Sequence, residues 1–293
     1  MPVQGPNGNH YNTIYFSMIY KFTAPSEHAL SNLRSGSLYC RHFEDYNDPF
    51  ELWWNLENGL PPFDDDNERF KAAVAAWGFT GMKMNEIPLD RDTWDEFFGS
   101  LTDYEPSFTF TDTRITCFCS EAQNLLMWSH YADGLRGFCL EFDENELFVE
   151  DEYKYLVPVN YTDKPPHIDS FVYAVTHDQF EYAAEHGYEE YEGELRRKEL
   201  NEIMRTAVAS KLKEWSYEKE TRLVIQTDGK DKTAIPYKYP SHSLKSIIIG
   251  EKMSPEFRSE LKAVLESLDS PVNTRVALRS KESYTLTIHD MDL

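Results

Sequence analysis

The chain has 293 residues, of which 41% are hydrophobic and 14% aromatic. This composition excludes a disordered polypeptide and predicts a packed globular protein. The 51 acidic and 29 basic residues give a net charge of −22, which disfavours broad non-specific binding to nucleic acids. The N-terminus lacks a signal-peptide pattern and no apolar run approaches the ~20 residues of a membrane helix, so we expect a cytoplasmic protein with no membrane partner.

The first predicted elements are a strand, a short helix and a second strand. β-branched and aromatic residues from Thr13 to Phe22 favour a strand. Ser26 is a favourable N-cap for an apolar stripe that Gly36 ends. The strand SLYCRHF follows and leads into EDYNDPFE, where Asn47 and Asp48 can close an Asx-type turn.

The middle of the chain alternates between helical and strand patterns. Two helical pieces, NERFKAAVAAWGF and TWDEFFGSL, are predicted in the Asp-rich segment from Leu60 to Pro106. A strand (TRITCFCSE), a helix (EAQNLLMWSHYADG), a strand (RGFCLEFD) and an edge strand (YLVPVNYTD) follow. A helix-rich stretch from Thr176 to Trp215 comes next, with Leu212 and Trp215 included in its apolar stripe.

The last part of the chain is rich in strands. Three strands are predicted in TRLVIQT, KTAIPYKY and LKSIIIGEK. A helix begins at Ser254 with Pro255 in its first turn, and NTRVALRS and YTLTIHD form two final strands. The sequence therefore predicts an α+β fold with a mixed, largely antiparallel sheet, in a single domain over residues 1–293 with helical insertions at about 60–106 and 176–215.

Several common sites are absent from the sequence. It has no G-x-x-x-x-G-K-[ST], G-x-G-x-x-G, H-E-x-x-H or G-x-S-x-G motif, which disfavours P-loop enzymes and dinucleotide-binding Rossmann enzymes. The nine histidines are scattered, and the pair Cys117 and Cys119 has no second pair, so no metal site is predicted. The four cysteines are expected to be reduced thiols.

The segment EWSYEKETRLVI places three charged residues at the start of a predicted strand. Glu218, Glu220 and Arg222 alternate in sequence, so in an extended chain they share one face. Two carboxylates held this close need compensation. An internal ion pair that braces the sheet is one interpretation, and a catalytic pair of carboxylates is the other.

Three further polar clusters fall at the ends of predicted strands or helices. Tyr20 and Lys21 end the first strand, NDPFE forms a turn, and MWSHYADG brings polar residues to the end of a helix. A purely structural role is open for each cluster. Active sites of mixed sheets often collect at such positions, however.

The combination of these motifs resembles a bacterial family, domain of unknown function 2971. The resemblance is carried by NDPFE, CFCSEAQNLLMWSHYADGLRGFCLEFD and WSYEKETRLVI, in that order. A second, weaker resemblance is to ADP-ribosyltransferases, through the strand–helix–strand opening and the E-x-E of Glu218, Lys219 and Glu220. Tyr20 and Lys21 stand where that family has His or Arg.

The second resemblance implies an ADP-ribosyltransferase-like fold and an enzyme that consumes NAD as a substrate. Glu220 would stabilise the oxocarbenium-like transition state and Glu218 would orient or deprotonate the acceptor. The residues that the resemblance assigns to nucleotide binding are Tyr20, Lys21, Asn47, Asp48, Ser120, Trp128, Ser129, His130, Tyr131, Arg136 and Arg222.

Within that set, Lys21, Arg136 or Arg222 would meet the pyrophosphate, and Tyr131 or Trp128 would stack on nicotinamide. The partner is then a small-molecule nucleotide, with the acceptor macromolecule open and a bacterial toxin or anti-phage effector as the setting. Two alternatives remain at this point. One is a non-catalytic nucleotide- or partner-sensing module. The other is a metal-dependent nuclease that uses Asp48, Glu51, Glu218 and Glu220.

Overall fold

A computed structural model describes residues 17–57, 59–64, 66–76, 92, 94, 96, 112–147, 154–189, 191–227 and 231–293. Its helices are α1 (Glu27–Arg34), α2 (Glu68–Ala76), α3 (Leu125–Tyr131), α4 (Ser170–His186), α5 (Gly193–Val208) and α6 (Pro255–Glu266). Its strands are β1 (Met18–Thr23), β2 (Ser37–Cys40), β3 (Asn55–Glu57), β4 (Thr113–Cys119), β5 (Phe138–Asp143), β6 (Lys154–Pro158), β7 (Asn160–Thr162), β8 (His167–Asp169), β9 (Ser210–Leu212), β10 (Glu220–Gln226), β11 (Ile235–Lys238), β12 (Leu244–Gly250), β13 (Asn273–Arg279) and β14 (Leu286–Asp290).

Eight of these strands form one sheet in the order β14-β13-β12-β5-β1-β4-β10-β6. All neighbours are antiparallel except β12 and β13. Those two strands are parallel because α6 carries the chain back between them, as a parallel connection requires. The α+β fold with a mixed, mostly antiparallel sheet is therefore confirmed, and β6 lies at an edge as predicted.

Several local signals act as the sequence predicts. Ser26 Oγ accepts a hydrogen bond from the Ala29 N–H at 3.1 Å and so caps α1. Ser254 caps α6 in the same way, with Pro255 in the first turn. Asp48 Oδ1 accepts from the Phe50 N–H at 2.9 Å, which confirms the predicted Asx-type turn.

The helix-rich stretch ends earlier than its apolar stripe predicts. Helix α5 stops at Val208, and Leu212 then lies in β9, which pairs with β7 in parallel. Trp215 lies in a short 3₁₀ helix, Lys213–Glu218. Strand pairing with β7 overrides the helical spacing here. Predicted elements at 13–16 and most of TWDEFFGSL lie outside the described residues.

The sheet buries both of its faces. Apolar residues from α1, α6 and β2, among them Leu30, Leu33 and Leu261, pack on the face that carries Leu223 and Ile225 of β10. Residues of α3 and α5 pack on the other face, where Trp128 and Val208 are buried. Since side chains alternate along a strand, Glu220, Arg222 and Val224 of β10 face α3 and α5.

Strands β1 and β4 are paired at Tyr20 and Cys119. Two side chains bond to carbonyl oxygens farther along β4. Lys21 Nζ donates to the Cys117 carbonyl at 3.0 Å, and the Tyr46 hydroxyl donates to the Ile115 carbonyl at 2.7 Å. The Ile115 carbonyl also accepts from the Arg41 N–H at 2.8 Å, so the Tyr46 hydroxyl is its second donor.

None of the helices in the described ranges combines the length and the apolar character that are needed to cross a bilayer.

Candidate functional site

Glu218 and Glu220 reach the same site through a special backbone conformation. Glu218 ends the 3₁₀ helix and Glu220 begins β10, so the two residues are not neighbours on one extended strand as the alternation predicted. Lys219 between them has φ 45° and ψ 51°, in the left-handed region. This conformation is unfavourable for residues other than glycine and is found preferentially where a site imposes it. Glu220 and Arg222 do share one face of β10.

Five charged side chains form a buried ionic cluster around these carboxylates. Its members are Glu51, Lys211, Glu218, Glu220 and Arg222, and each side chain is at most 4% exposed. Lys211 Nζ lies 2.6 Å from Glu218 Oε2 and 3.1 Å from Glu220 Oε2. Arg222 pairs with Glu220 Oε1 at 2.8 Å through Nε and with Glu51 Oε1 at 2.6 Å. Three carboxylates thus face two cations.

The pKa values of the two central carboxylates are shifted in opposite directions. Burial raises the pKa of Glu218, and its ion pair with Lys211 only partly opposes this effect. Burial also favours the protonated form of Glu220, but Arg222 and Lys211 outweigh it and lower its pKa to about 2. Glu220 is therefore an anion at neutral pH, whereas Glu218 is the one of the two carboxylates that more readily takes up a proton.

The remaining cluster members also have shifted pKa values. Burial raises the pKa of Glu51 against the effect of Arg222. Burial alone would lower the pKa of Lys211, but Glu220, Glu218 and Glu51 hold it above its ordinary value. Both cations of the cluster stay charged, because Arg222 is likewise held in its charged form by Glu220 and Glu51.

The turn NDPFE brings Glu51 to the cluster. The Asp48 side chain caps the turn through Oδ1, and the Glu51 N–H donates to the Asp48 carbonyl at 3.1 Å. Asp48 is itself only 4% exposed. The parallel pair β7–β9 holds the opposite side, where Lys211 projects from β9 and the Tyr161 hydroxyl of β7 accepts from the Glu220 N–H at 2.8 Å.

Helix α3 adds a tyrosine to the cluster. The Tyr131 hydroxyl donates to Glu218 Oε1, and the Asn47 side chain also contacts this hydroxyl. Asn124 caps α3, and its Nδ2 donates to the Tyr217 carbonyl in the 3₁₀ helix. These contacts fix α3 against the segment that ends in Glu218.

The structure brings six of the predicted site residues together: Glu218, Glu220, Arg222, Tyr131, Asn47 and Asp48. They come from NDPFE, MWSHYADG and WSYEKETR, which are far apart in sequence. Sequence reasoning overlooked Lys211 and assigned Glu51 only to the nuclease alternative. Glu51 is visible as the last residue of NDPFE. No signal in the sequence distinguishes Lys211 from a surface lysine.

The other predicted nucleotide contacts from the first strand lie elsewhere. The Tyr20 hydroxyl donates to Glu141 Oε1 at 3.0 Å, in a separate polar group with Arg275. Lys21 is bonded to the Cys117 carbonyl. Burial lowers the pKa of Lys21 and raises that of Tyr20. Both residues therefore have roles within the sheet.

The predicted contacts near α3 are also dispersed. Trp128 is fully buried and donates through Nε1 to the Ala122 carbonyl, so its ring belongs to the core. Ser129 Oγ donates to the carbonyl one turn back in α3, and Ser120 is exposed. Arg136 is exposed, and its Nη1 lies 3.8 Å from Asp133 Oδ1. His130 is exposed with its ring 6.0 Å from that of Tyr217, at the margin of the site.

A cavity of about 220 Å³ borders the cluster. Phe50, Trp53, Pro165 and Pro166 supply apolar walls, and Lys211 lines it as well. Phe50 and Trp53 are half exposed and their rings contact each other edge to face at 5.9 Å. The cavity is thus an aromatic-walled recess that meets the ionic cluster at Lys211.

No three His, Cys, Asp or Glu side chains converge as a metal-binding group within the ranges that the structure describes. The facing oxygens of Glu218 and Glu220 instead share Lys211.

Residues 127–223 match the model of a family described as Protein of unknown function (DUF2971). The match confirms the family resemblance predicted from the motifs and spans Tyr131, Lys211, Glu218, Glu220 and Arg222. No curated protein and no solved structure is significantly similar to the chain. The resemblance to ADP-ribosyltransferases stays a hypothesis.

Proposed function

We propose that the protein is an NAD-consuming enzyme of the ADP-ribosyltransferase type, with Glu218 and Glu220 as its catalytic carboxylates. One observation carries the proposal: two adjacent buried carboxylates share Lys211 beside a recess of about 220 Å³, and their pKa values are shifted in opposite directions. Such a pair, with one carboxylate kept ionised and the other able to exchange a proton, is typical of acid–base sites.

The ionised carboxylate suits the charge that develops in this reaction. When the bond between nicotinamide and ribose breaks, nicotinamide leaves with the electron pair and positive charge builds on the ribose. Glu220 stays anionic down to a pH of about 2, and the cluster carries one more carboxylate than cations. This excess negative charge would stabilise the transition state more than the neutral ribose of the ground state.

The second carboxylate suits proton transfer. An acceptor hydroxyl, amine or water that attacks the ribose carbon must lose a proton, and Glu218 would take it. Burial raises the pKa of Glu218 towards the range in which a base works at neutral pH. The Tyr131 hydroxyl, bonded to Glu218 Oε1, would hold the carboxylate in place.

A second candidate function is a non-catalytic nucleotide-binding module. Both oxygens of Glu218 and both oxygens of Glu220 are already engaged, by Tyr131, Lys211 and Arg222. Fully engaged carboxylates favour a rigid binding site, because a reacting carboxylate must first release a partner.

The test follows nicotinamide release and NAD binding in the same samples of the full chain. We expect release to fall by about 10²- to 10⁴-fold in Glu218→Gln, as for removal of a general base, and to be lost in Glu220→Gln. Glu214→Gln is the matched control, because Glu214 is exposed in the same 3₁₀ helix. Binding without release in the unmodified protein would favour the non-catalytic module. Release that persists unchanged in both glutamine variants would refute the proposed roles.

A further inference from the structure

The cavity is small compared with a whole dinucleotide. Its volume of about 220 Å³ is below the ~300–1,000 Å³ that is typical of pockets for drug-sized ligands. The cavity therefore suits one ring and the group next to it. The lining residues Phe50, Trp53, Pro165 and Pro166 offer flat apolar surfaces for a planar ring.

The cavity meets the ionic cluster at a cation. Of the five cluster members, Lys211 is the one that lines the cavity. Lys164 also lines it and is exposed. Asp163, the acidic residue in the lining, is paired with Lys213 at 3.6 Å. The lining of the cavity thus includes two lysines and none of the carboxylates of the cluster.

Lys211 has a donor to spare. An ammonium group carries three N–H donors, and two of them reach Glu218 at 2.6 Å and Glu220 at 3.1 Å. Glu51 is 3.9 Å away, which is too far for a hydrogen bond. The third N–H has no acceptor among the described residues, and the Trp215 ring lies 4.9 Å from Nζ.

We propose that the cavity binds a nucleotide through its base and a phosphate, with the phosphate on Lys211, and that binding makes Glu218 take up a proton. The base would lie against Trp53 and the two prolines, and Lys164 would assist at the phosphate. The proposal deepens the proposed function, since it rests on the same site and names the part of NAD that the cavity holds. Only a fraction of a proton is taken up, so part of Glu218 stays ionised and can still accept the proton of the acceptor. Its test needs no turnover.

The proton goes to Glu218 because of the way the cluster is connected. Glu51 and Glu220 each keep an ion pair with Arg222, whereas Lys211 is the only cation paired with Glu218 in the described part of the chain. The charged and titratable groups that face Glu218 are Lys211 from β9, Tyr131 from α3, Tyr161 from β7, Tyr217 from the 3₁₀ helix and Glu220 from β10.

A phosphate on Lys211 adds negative charge to a cluster that already holds three carboxylates and two cations. The phosphate would also compete with Glu218 for the Lys211 ammonium group, which stabilises the ionised form of Glu218. Both effects favour protonation of Glu218, which is buried and loses the least when its charge is removed.

The experiment is calorimetric titration of the full chain with AMP, adenosine and inorganic phosphate near pH 7, in two buffers of different ionisation enthalpy. We expect AMP to bind at least about tenfold more tightly than adenosine or phosphate, because it alone supplies both the ring and the anion. The difference in heat between the buffers should show uptake of a fraction of a proton per AMP. Equal affinity for AMP and adenosine, equal heats in both buffers, or no binding of AMP at millimolar concentration would overturn the proposal.

Variants separate the two parts of the proposal. Glu218→Gln should still bind AMP but with equal heats in both buffers. The double variant Lys211→Met with Glu218→Gln keeps the cluster one carboxylate in excess, and it should bind AMP at least about tenfold more weakly than Glu218→Gln alone. Lys245→Met is the control, since Lys245 pairs with Glu146 outside the cluster. Wild-type affinity in the double variant would overturn the role of Lys211.

The outcomes also separate this inference from the proposed function. AMP binding with proton uptake, but no release of nicotinamide from NAD, would refute the enzyme and keep the nucleotide site. Release of nicotinamide without AMP binding would refute the nucleotide site and keep the enzyme.

Discussion

Replacement of Arg222 by methionine tests the physical account of the ionic cluster most directly. The guanidinium is completely buried, pairs with Glu220 at 2.8 Å and Glu51 at 2.6 Å, and donates to the Val208 carbonyl at 2.5 Å. Arg222→Met preserves much of the side-chain volume but removes the charge. Three buried carboxylates would then share Lys211 alone.

The expected loss of stability can be worked out in two ways. The pKa of Glu220 falls from its ordinary 4.5 to about 2, which corresponds to roughly 3 kcal/mol of stabilisation of its ionised form. Removal of one partner of a buried ion pair typically costs about 3–5 kcal/mol. The two estimates agree, and about 3–5 kcal/mol is a large part of the ~5–15 kcal/mol by which domains are stable.

The loss should depend on pH. The folded-state pKa of Glu220 is lowered, so its contribution to stability is complete above 4.5 and is lost as the pH falls towards 2. Arg222 lowers this pKa the most and Lys211 the next, so Arg222→Met should reduce the contribution of Glu220 at every pH. The difference in stability between wild type and variant should therefore be greatest near pH 7 and decrease below about pH 4.5.

The assay is urea denaturation of both proteins at pH 7 and pH 4. Arg136→Met is the matched control, because Arg136 is exposed at 3.8 Å from Asp133 and should change stability by less than about 1 kcal/mol. A loss in Arg222→Met that is no larger than in the control, or that is the same at both pH values, would refute the reasoning.

Two further predictions concern the scaffold. A Cβ atom at Gly250 would lie 2.1 Å from the Leu135 carbonyl oxygen, whereas one at Gly36 meets nothing within 4 Å. Gly250→Ala should therefore lower the free energy of unfolding by about 3 kcal/mol or more, as measured by thermal denaturation. Gly36→Ala, at φ +61°, should lose only about 1–2 kcal/mol, and equal losses would contradict this account. Trp128→Ala should lower the free energy of unfolding by about 3–5 kcal/mol, because it creates a buried cavity. Leu125 is 41% exposed, so Leu125→Ala should change stability little. Similar urea midpoints for both variants would show that Trp128 is not a core residue.

The site also explains why three separate motifs occur in one chain. NDPFE supplies Glu51, MWSHYADG supplies Tyr131, and WSYEKETR supplies Glu218, Glu220 and Arg222. Each motif contributes polar groups that would be costly to bury alone. Their burial becomes tolerable only when the motifs meet, so the cluster links the turn, helix α3 and strand β10.

The sequence by itself determined most of the secondary structure and the fold class. The caps at Ser26 and Ser254 and the Asx-type turn at Asp48 are decided by hydrogen bonds to residues two or three positions away. The strands follow from the side-chain pattern along each segment. Such short-range effects can be predicted from the sequence alone.

Only the tertiary structure decided which charged residues form the site. Lys211 belongs to it because β9 pairs with β7 instead of continuing the helical stripe, and Lys21 does not because its ammonium group bonds to a carbonyl of β4. The left-handed conformation of Lys219 is likewise set by the groups that hold Glu218 and Glu220. Burial, and with it the opposite pKa shifts of the two glutamates, depends on chain segments that are distant in sequence and meet only in the folded protein.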